Sequence, residues 1–331
     1  MRVVLCEWCM SGGLAGADAS IAREGRMMLE ALAADAAKDA ALDVTVLVEA
    51  GRALDLPALT RLLAVPAGGA AAAIVAAARD ADWTVVVAPE TDGILAGVVR
   101  AVRAAGGRVL APDDRVIDVA SDKQATVDAL AARGLPVPAG RALAAGEPLP
   151  AGFHLPAVRK ARAGCGGDGL EILAARDAPP ASMPTRVEAL TEGTPVGVSC
   201  LCGSSTPIVL PPMRQRFTAG TAPRYQGSDL LAGAGPIARA TALARHAATA
   251  LGATAGWLGV DMILGERPDG RDDRVLEVNP RVTTSFVGLS RLFASSLVAA
   301  MIEAATGTDV APTLVPVAGS GPSADFRLPD A

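Results

Sequence analysis

Residues 257–281, WLGVDMILGERPDGRDDRVLEVNPR, decide the fold of this 331-residue chain. Two apolar, β-rich runs, 257–264 and 274–279, flank the polar sequence GERPDGRDD. Such runs joined by a turn rich in glycine, proline and aspartate predict an antiparallel β-hairpin. The hairpin bears on function because an acidic side chain lies inside each apolar run, and the second run also contains an amide side chain.

Three oxygen-bearing side chains, Asp261, Glu277 and Asn279, lie within these strands. Alternation along a strand places Glu277 and Asn279 on one face together with Val275, and Asp261 on a face with Gly259 and Ile263. Burying such polar groups is costly unless a cation compensates. Mg²⁺ prefers a few carboxylate or amide oxygens together with nucleotide phosphates, so the trio predicts a magnesium site, with Mn²⁺ as an alternative. Surface carboxylates on a half-exposed sheet are the other interpretation.

A glycine-rich loop follows a lysine in AVRKARAGCGGDG, residues 157–169. Its glycines allow backbone amides to fold over phosphate oxygens, which Lys160 can reach as a cation. The lysine precedes the glycines, so the loop is not a Walker A sequence. The alternative is the tip of a mobile hairpin. The glycines concerned are Gly164, Gly166, Gly167 and Gly169.

Lysine is scarce in the chain, since only Lys38, Lys123 and Lys160 among 30 basic residues are lysines. A lysine placed beside glycine-rich sequence suggests a site that requires a compact ammonium group. Lys123 lies in the first turn of a helix that we expect to begin at Ser121 and Asp122, with Ser121 as N-cap. Taken alone, Lys123 is more typical of a solvated charge.

The first third of the chain alternates apolar β-rich runs with helix-length segments. Strands are predicted at 3–6, 44–48, 83–87 and 108–110, and helices at 21–37 and 94–104. This order predicts a parallel sheet with right-handed crossovers. Ligands bind beyond the carboxyl ends of such strands, where EWCMSGG (7–13) and APETDG (88–93) lie. A tight turn is the alternative for the first segment.

Composition narrows the partners of the protein. The net charge is -5, with an isoelectric point near 5.2, which favours a small-molecule partner over nucleic acid or an anionic membrane surface. Five cysteines, an odd number, argue against a disulfide framework and favour a reducing cytoplasm. The uncharged, alanine-rich stretch 62–78 is too short and too weakly apolar to span a membrane, so no membrane partner is expected.

The order and spacing of Lys123, the Lys160 glycine loop, Asp261 and 277–281 (EVNPR) resemble the ATP-grasp superfamily over nearly the whole chain. Within it, EWCMSGG, APETDGIL (88–95) and NPRVTTSFVGL (279–289) are similar to the tyramine-glutamate ligases of methanofuran biosynthesis and their bacterial relatives. The resemblance implies an α/β chain with ATP-grasp lobes behind a Rossmann-like parallel-sheet domain.

The resemblance also implies domains and site residues. The parallel-sheet domain would span 1–112, a lid subdomain 113–190, a catalytic subdomain 191–308 and a flexible tail 309–331. Lys123 and Lys160 would hold the phosphates beneath the 164–169 loop, and Arg281 would contact the transferred phosphoryl group. Asp261, Glu277 and Asn279 would hold two Mg²⁺ ions. Glu188 and Leu190 would lie at the adenine hinge.

One departure from the family concerns the ribose. Many ATP-grasp ligases have a glutamate that binds the ribose hydroxyls of ATP, shortly after the glycine of the Glu188 segment. In this chain that glycine is Gly193, and threonine, proline and valine follow it. Glu192 is the alternative ribose ligand.

The implied reaction is ligation of a carboxylate to an amine through an acyl phosphate, with ATP and Mg²⁺. We expect the γ-carboxylate of L-glutamate to be joined to tyramine or tyrosine, with the glycine loop acting as a lid. Other amino-acid substrates, or a non-catalytic nucleotide-binding protein, are the alternatives, and a homodimer is left open. Candidate substrate residues are Glu7, Ser11, Glu90, Tyr225, Arg281 and Thr283. Glu7 or Glu90 would receive an ammonium group, and Arg214, Arg216 or Arg224 would receive carboxylates.

Overall fold

The computed structural model describes residues 1–13, 19–164, 169–204, 206–307, 313–317 and 324–328. The described residues form three β-sheets with helices packed against them.

The first sheet is parallel and has the strand order β3-β2-β1-β4. Its strands are β1 (Arg2–Glu7), β2 (Asp43–Glu49), β3 (Arg61–Val65) and β4 (Trp83–Val87), with helices α1 (Ala19–Ala36), α2 (Ala70–Asp80) and α3 (Ile94–Ala104). The predicted strand at 108–110 forms only a parallel bridge from Val109 to Thr84. Strand β3 escaped prediction because it is an edge strand, buried only at Val65, and therefore lacks a burial pattern.

Two short helices lead into the second sheet, which is antiparallel in the order β5-β8-β6-β7. The helices are α4 (Asp114–Ala120) and α5 (Lys123–Ala131), and the strands are β5 (Gly140–Leu143), β6 (Ala157–Ala161), β7 (Glu171–Leu173) and β8 (Thr185–Ala189). The predicted N-cap of α5 at Ser121 is wrong. The Asp122 carboxylate caps the helix, accepting from the amides of Gln124 and Ala125, and Ser121 ends α4 instead.

The third and largest sheet contains the predicted hairpin. Its main path runs β14-β13-β9-β11-β12-β15, with β10 beside β9. The strands are β9 (Thr194–Cys202), β10 (Ile208–Val209), β11 (Met213–Phe217), β12 (Tyr225–Leu230), β13 (Gly256–Leu264), β14 (Arg274–Asn279) and β15 (Phe326–Arg327), and the helices are α6 (Ala234–Leu251), α7 (Phe286–Leu289) and α8 (Leu297–Ala305). Within the described part of the chain, two 3₁₀ turns occur, at Thr91–Gly93 and Ser290–Leu292.

A β-bulge in β14 corrects the predicted alternation. Asp261 pairs with Glu277, but the next residue of β13 pairs with Val275, so Leu276 is the extra residue. Val275 and Val278 consequently pack into the same core, while Leu276 and Glu277 both line the cleft described below. A bulge of this kind lets two successive side chains escape strict alternation. Val275 therefore does not share a face with Glu277.

Residues 324–328, within the expected tail, lie against the third sheet. Phe326 lies in β15, which pairs with β12, and the side chains of Ala324 and Phe326 are buried in a core that also contains Trp257 and Phe286. These apolar side chains keep that part of the tail on the sheet. Within the described residues, no helix combines the length and the apolar character needed to cross a lipid bilayer.

Candidate active site

A cleft of about 440 Å³ opens between the three sheets. Each sheet contributes to its wall: Glu7 ends β1, Lys160 lies in β6, and Asp261 lies in β13. Asp261, Gly259 and Ile263 all line it, as their alternation predicted. The cleft thus brings together side chains that are far apart in the sequence.

The oxygen trio of the hairpin meets on one wall of this cleft. Asp261 lies opposite Glu277 across the strand pair, and the Asn279 amide donates to Asp261 Oδ2 over 2.9 Å. Burial, followed by the nearby Glu277 charge, raises the pKa of Asp261 to about 7. Burial opposes ionisation of Glu277 as well, but the charges of Lys123 and Lys160 hold the pKa of Glu277 below its ordinary value.

Gln215 completes this oxygen cluster and was not found from the sequence. Its amide nitrogen donates to Asp261 Oδ1 over 2.8 Å from strand β11. Gly197 lies beside them, and a Cβ there would come within 3.2 Å of Asp261 Oδ1 and 3.0 Å of Gln215 Nε2. Two half-buried carboxylates and an amide oxygen, with space kept beside them, suit a hard divalent cation such as Mg²⁺.

Both predicted phosphate-binding lysines reach the cleft. Lys123 Nζ lies 3.4 Å from Glu277 Oε2 and donates to the Gly164 carbonyl over 3.0 Å. Lys160 is buried, with its Nζ 2.8 Å from Glu188 Oε1 and 3.3 Å from the Leu276 carbonyl. Each ammonium group is therefore held between a carboxylate and a backbone oxygen on the cleft wall.

The glycine loop is described only at its ends. Gly164 has φ +154° and Gly169 has φ +64°, values that favour glycine. Gly166 and Gly167, which we expect to cover phosphate oxygens, lie outside the described residues.

Glu188, which the resemblance places at the adenine hinge, lies on the cleft wall. Its carboxylate is buried and ion-pairs with both Lys160 and Arg186, so the side chain holds cations. The segment from Glu188 to Thr191 still lines the cleft, together with the apolar side chains of Val158 and Ile172.

Leu190 is part of that wall, and its amide donates to the Pro156 carbonyl over 3.3 Å. Glu192, the alternative ribose ligand, is exposed and does not line the cleft.

Arg281 lies at the end of the cleft nearest the parallel sheet. Its guanidinium makes a two-point ion pair with Glu90, with Nε 2.9 Å from Oε1 and Nη2 3.1 Å from Oε2. The Glu90 side chain is therefore committed to a cation of the protein, which differs from the expectation that it receives a substrate ammonium group. Thr283 also lines the cleft, and its hydroxyl lies 2.8 Å from that of Ser285.

Two further carboxylates, Glu7 and Glu24, line the same end. Glu7 accepts from the Met10 amide over 2.8 Å, and burial raises its pKa to about 7. Glu24 accepts from the Thr284 hydroxyl over 3.0 Å, and burial raises its pKa too. Glu24 was missed because it lies in α1, where nothing in the local sequence separates a cleft carboxylate from a solvated one.

Several other predicted substrate residues lie elsewhere. Ser11 is fully buried outside the cleft and donates to the Leu47 carbonyl over 3.0 Å. Arg214 and Arg216 both pair with Asp229 and do not line the cleft. Arg224 is exposed and does not line the cleft either.

Tyr225 does line the cleft. Its hydroxyl shares a 2.6 Å hydrogen bond with Ser228, and its ring packs edge-on against Phe217 and Phe326.

Comparison with protein families gives two matches. A model described as an ATP-grasp domain matches residues 120–285, half of the chain. A model described as a pre ATP-grasp 3 domain matches residues 42–117. No curated protein matches the chain.

Solved structures show a similar arrangement over most of the chain. An ATP-grasp superfamily protein from Archaeoglobus fulgidus has a TM-score of 0.69 at 20% identity, covering 92% of this chain and 89% of that one. An L-amino acid ligase from Bacillus licheniformis has a TM-score of 0.66 at 14% identity, covering 91% and 73%. A D-alanine–D-alanine ligase from Bacillus anthracis, complexed with ATP, has a TM-score of 0.62 at 17% identity, covering 92% and 97%. At these identities the likeness concerns the fold.

Proposed function

Because the chain belongs to the ATP-grasp family, we propose that it is an ATP-dependent carboxylate–amine ligase that works through an acyl phosphate. One observation carries the proposal: Lys123, Lys160 and the oxygen trio of the hairpin line one cleft. The two lysines are 37 positions apart and belong to different elements. Their meeting with the half-buried carboxylates of Asp261 and Glu277 suits a triphosphate and its metal.

The chemistry follows from charge. A carboxylate is a poor electrophile, so it must first receive the γ-phosphoryl group of ATP, which requires positioning and charge neutralisation more than covalent help. Lys123 and Lys160 would bind the phosphate oxygens, and Arg281 would neutralise the transferred group. Mg²⁺, held by Asp261, Glu277 and Asn279, supplies further neutralisation when bound. The amine nitrogen then forms the C–N bond as the C–O bond to phosphate breaks.

Exclusion of water protects the acyl phosphate. The described end of the loop at Gly164 lies next to Lys123, which donates to the Gly164 carbonyl. We propose that the loop closes over bound nucleotide as a lid. Reduced hydrogen exchange and protease cleavage of this loop on addition of ATP would test the closure, and unchanged rates would contradict it.

For the substrates we propose the γ-carboxylate of L-glutamate and the amine of tyramine or tyrosine, in methanofuran-type cofactor biosynthesis. The similarity of 7–13, 88–95 and 279–289 to that ligase family supports this choice. The cleft supports it chemically, since Glu7 and Glu24 offer negative charge to an ammonium group. Tyr225 and Phe217 line the same cleft and offer aromatic surface.

A screen of ADP release tests the function. Purified protein with MgATP is offered amino acids and amines in pairs, and we expect release to require both an acid and an amine, with the highest rate for L-glutamate and tyramine or tyrosine. Release with other pairs only would remove the substrate assignment and leave the ligase proposal. No release with any pair, although ATP binds, would favour a non-catalytic nucleotide-binding protein.

A further inference from the structure

Arg186 is a fully buried arginine that lies behind the cleft wall. It lies directly opposite Lys160 in the pairing of β8 with β6, so the two cationic side chains occupy the same face of the sheet. Like charges in this position repel each other, and burial strengthens the repulsion. Some other group must therefore hold them together.

Glu188 is that group. One carboxylate oxygen, Oε2, accepts from Arg186 Nε over 2.9 Å, and the other, Oε1, lies 2.8 Å from Lys160 Nζ. Charge-assisted hydrogen bonds of this length have strong directional preferences. The orientation of the Glu188 carboxylate, and with it the place of the Lys160 ammonium group, therefore depends on the Arg186 guanidinium.

The remaining nitrogens of Arg186 reach the neighbourhood of the second lysine. Nη1 donates to the side-chain oxygen of Gln124, the residue after Lys123 at the start of α5. Nη2 donates to the Pro138 carbonyl over 3.0 Å, in the segment just before β5. One rigid, planar guanidinium thus joins the strand of Glu188 to the helix that begins with Lys123.

We propose that Arg186 is a positioning residue that sets the spacing of Lys123 and Lys160 and thereby the affinity for the phosphates of the nucleotide. It acts through Glu188 and Gln124 and does not touch the nucleotide itself. The inference rests on the proposed function, because it takes the two lysines as the phosphate ligands. Lysine could not replace this arginine, since a single ammonium group cannot reach all three acceptors in the fork geometry.

Calorimetric titration of ATP and of adenosine separates this role from a general structural one. For Arg186→Met we expect affinity for ATP in the presence of Mg²⁺ to fall about 10-fold or more. Affinity for adenosine, which lacks the phosphates, should stay within about 2-fold of the wild type. Equal losses for both ligands, or unchanged ATP affinity in a folded variant, would overturn the proposal.

Two further variants keep the test decisive. Gln124→Leu removes the contact of Arg186 with α5 at a partly exposed position. It should lower the affinity for ATP but not the affinity for adenosine. This variant decides the case if Arg186→Met does not fold. Arg159→Met is the matched control: Arg159 directly precedes Lys160 in β6, but its side chain points to the opposite face of the sheet, where it is ion-paired with Glu171 and does not line the cleft. Unchanged ATP affinity in Gln124→Leu, or an equal loss in Arg159→Met, would count against the proposal.

Failure of the proposed function would look different. Wild-type protein that binds ATP but releases no ADP with any acid and amine would end the ligase proposal and leave the Arg186 comparison intact. Wild-type protein that binds no ATP would overturn both.

Discussion

Glu7 carries a stability cost that depends on pH. Burial raises its pKa from 4.5 to about 7, so the folded protein binds a proton that the unfolded chain releases between these pH values. Stability is therefore lost as the pH rises through this window, by about 3 kcal/mol in all at 1.36 kcal/mol per pKa unit. Glutamine retains an oxygen to accept from the Met10 amide without the charge. Glu7→Gln should therefore match the wild type in melting temperature at pH 5 and exceed it at pH 8.

A second glutamate supplies the control for that measurement. Glu30 lies in α1 and is ion-paired with Arg26 at the surface, so Glu30→Gln should show no gain between pH 5 and pH 8. A gain for Glu7→Gln that is independent of pH would contradict the raised pKa.

Glu7→Gln also tests the substrate proposal. Loss of the carboxylate charge should raise the KM for the amine more than the KM for ATP.

Lys160 is the residue whose loss separates a ligase from a protein that only binds nucleotide. Its ammonium group is buried beside Glu188 in the cleft, where a fixed positive charge is worth far more than in water. Lys160→Ala should lower the rate of ADP release by about 100-fold or more. Lys38→Ala, at a lysine that pairs with Asp35 and does not line the cleft, should retain the rate in protein that remains folded. Equal rates for wild type and Lys160→Ala would contradict the proposed mechanism.

Among single residues, the sequence predicted those of a rare residue type and those that are polar within an apolar run. Lys123, Lys160 and the trio of 261, 277 and 279 stand out by scarcity or by an apolar setting, and all line the cleft. Gln215, Glu24 and Arg186 have ordinary local sequences, and their roles arise only from contacts with distant partners. Ser11 shows the reverse error, because its segment follows β1 but its hydroxyl turns into the protein and bonds to Leu47.

The elements were predictable where burial is regular. Strand β4 at Trp83–Val87 and helix α3 at Ile94–Ala104 have the predicted bounds, because each shows a clear apolar pattern. Strand β3 and the bulge in β14 could not be predicted. An exposed edge strand and a local shift of register leave no periodic pattern of apolar residues in the sequence.

The bulge makes a prediction about two adjacent residues. Val275 is buried in the core under the large sheet, whereas Leu276 lines the cleft. Val275→Ala should lower the free energy of unfolding by about 1 to 3 kcal/mol and leave the ATP affinity unchanged. Leu276→Ala should instead lower the affinity for ATP and have a smaller effect on the free energy of unfolding. Denaturant titration and calorimetry of both variants measure this, and the same response in both would contradict the register described here.

At the scale of the whole molecule, the cleft draws on all three sheets, so nucleotide binding should stabilise the chain as a unit. A ligand that binds only the folded protein adds about 2.7 kcal/mol at 100 times its dissociation constant. We expect MgATP to raise the melting temperature, and EDTA to remove most of the rise, because the oxygen trio suits a divalent cation. A rise of equal size with EDTA present would argue against metal binding by Asp261, Glu277 and Asn279.

The scarcity of lysine gives the molecule a spectroscopic use. Reductive methylation with ¹³C-formaldehyde labels only primary amines, which here are the amino terminus and three lysine side chains. Lys38 donates to the carbonyls of Ser290 and Phe293 at the junction of α1 with the turn before α8. The other two lysines belong to the cleft. A carbon NMR spectrum of the labelled chain would thus contain a handful of methyl signals, two of which would come from the lysines that we propose as phosphate ligands.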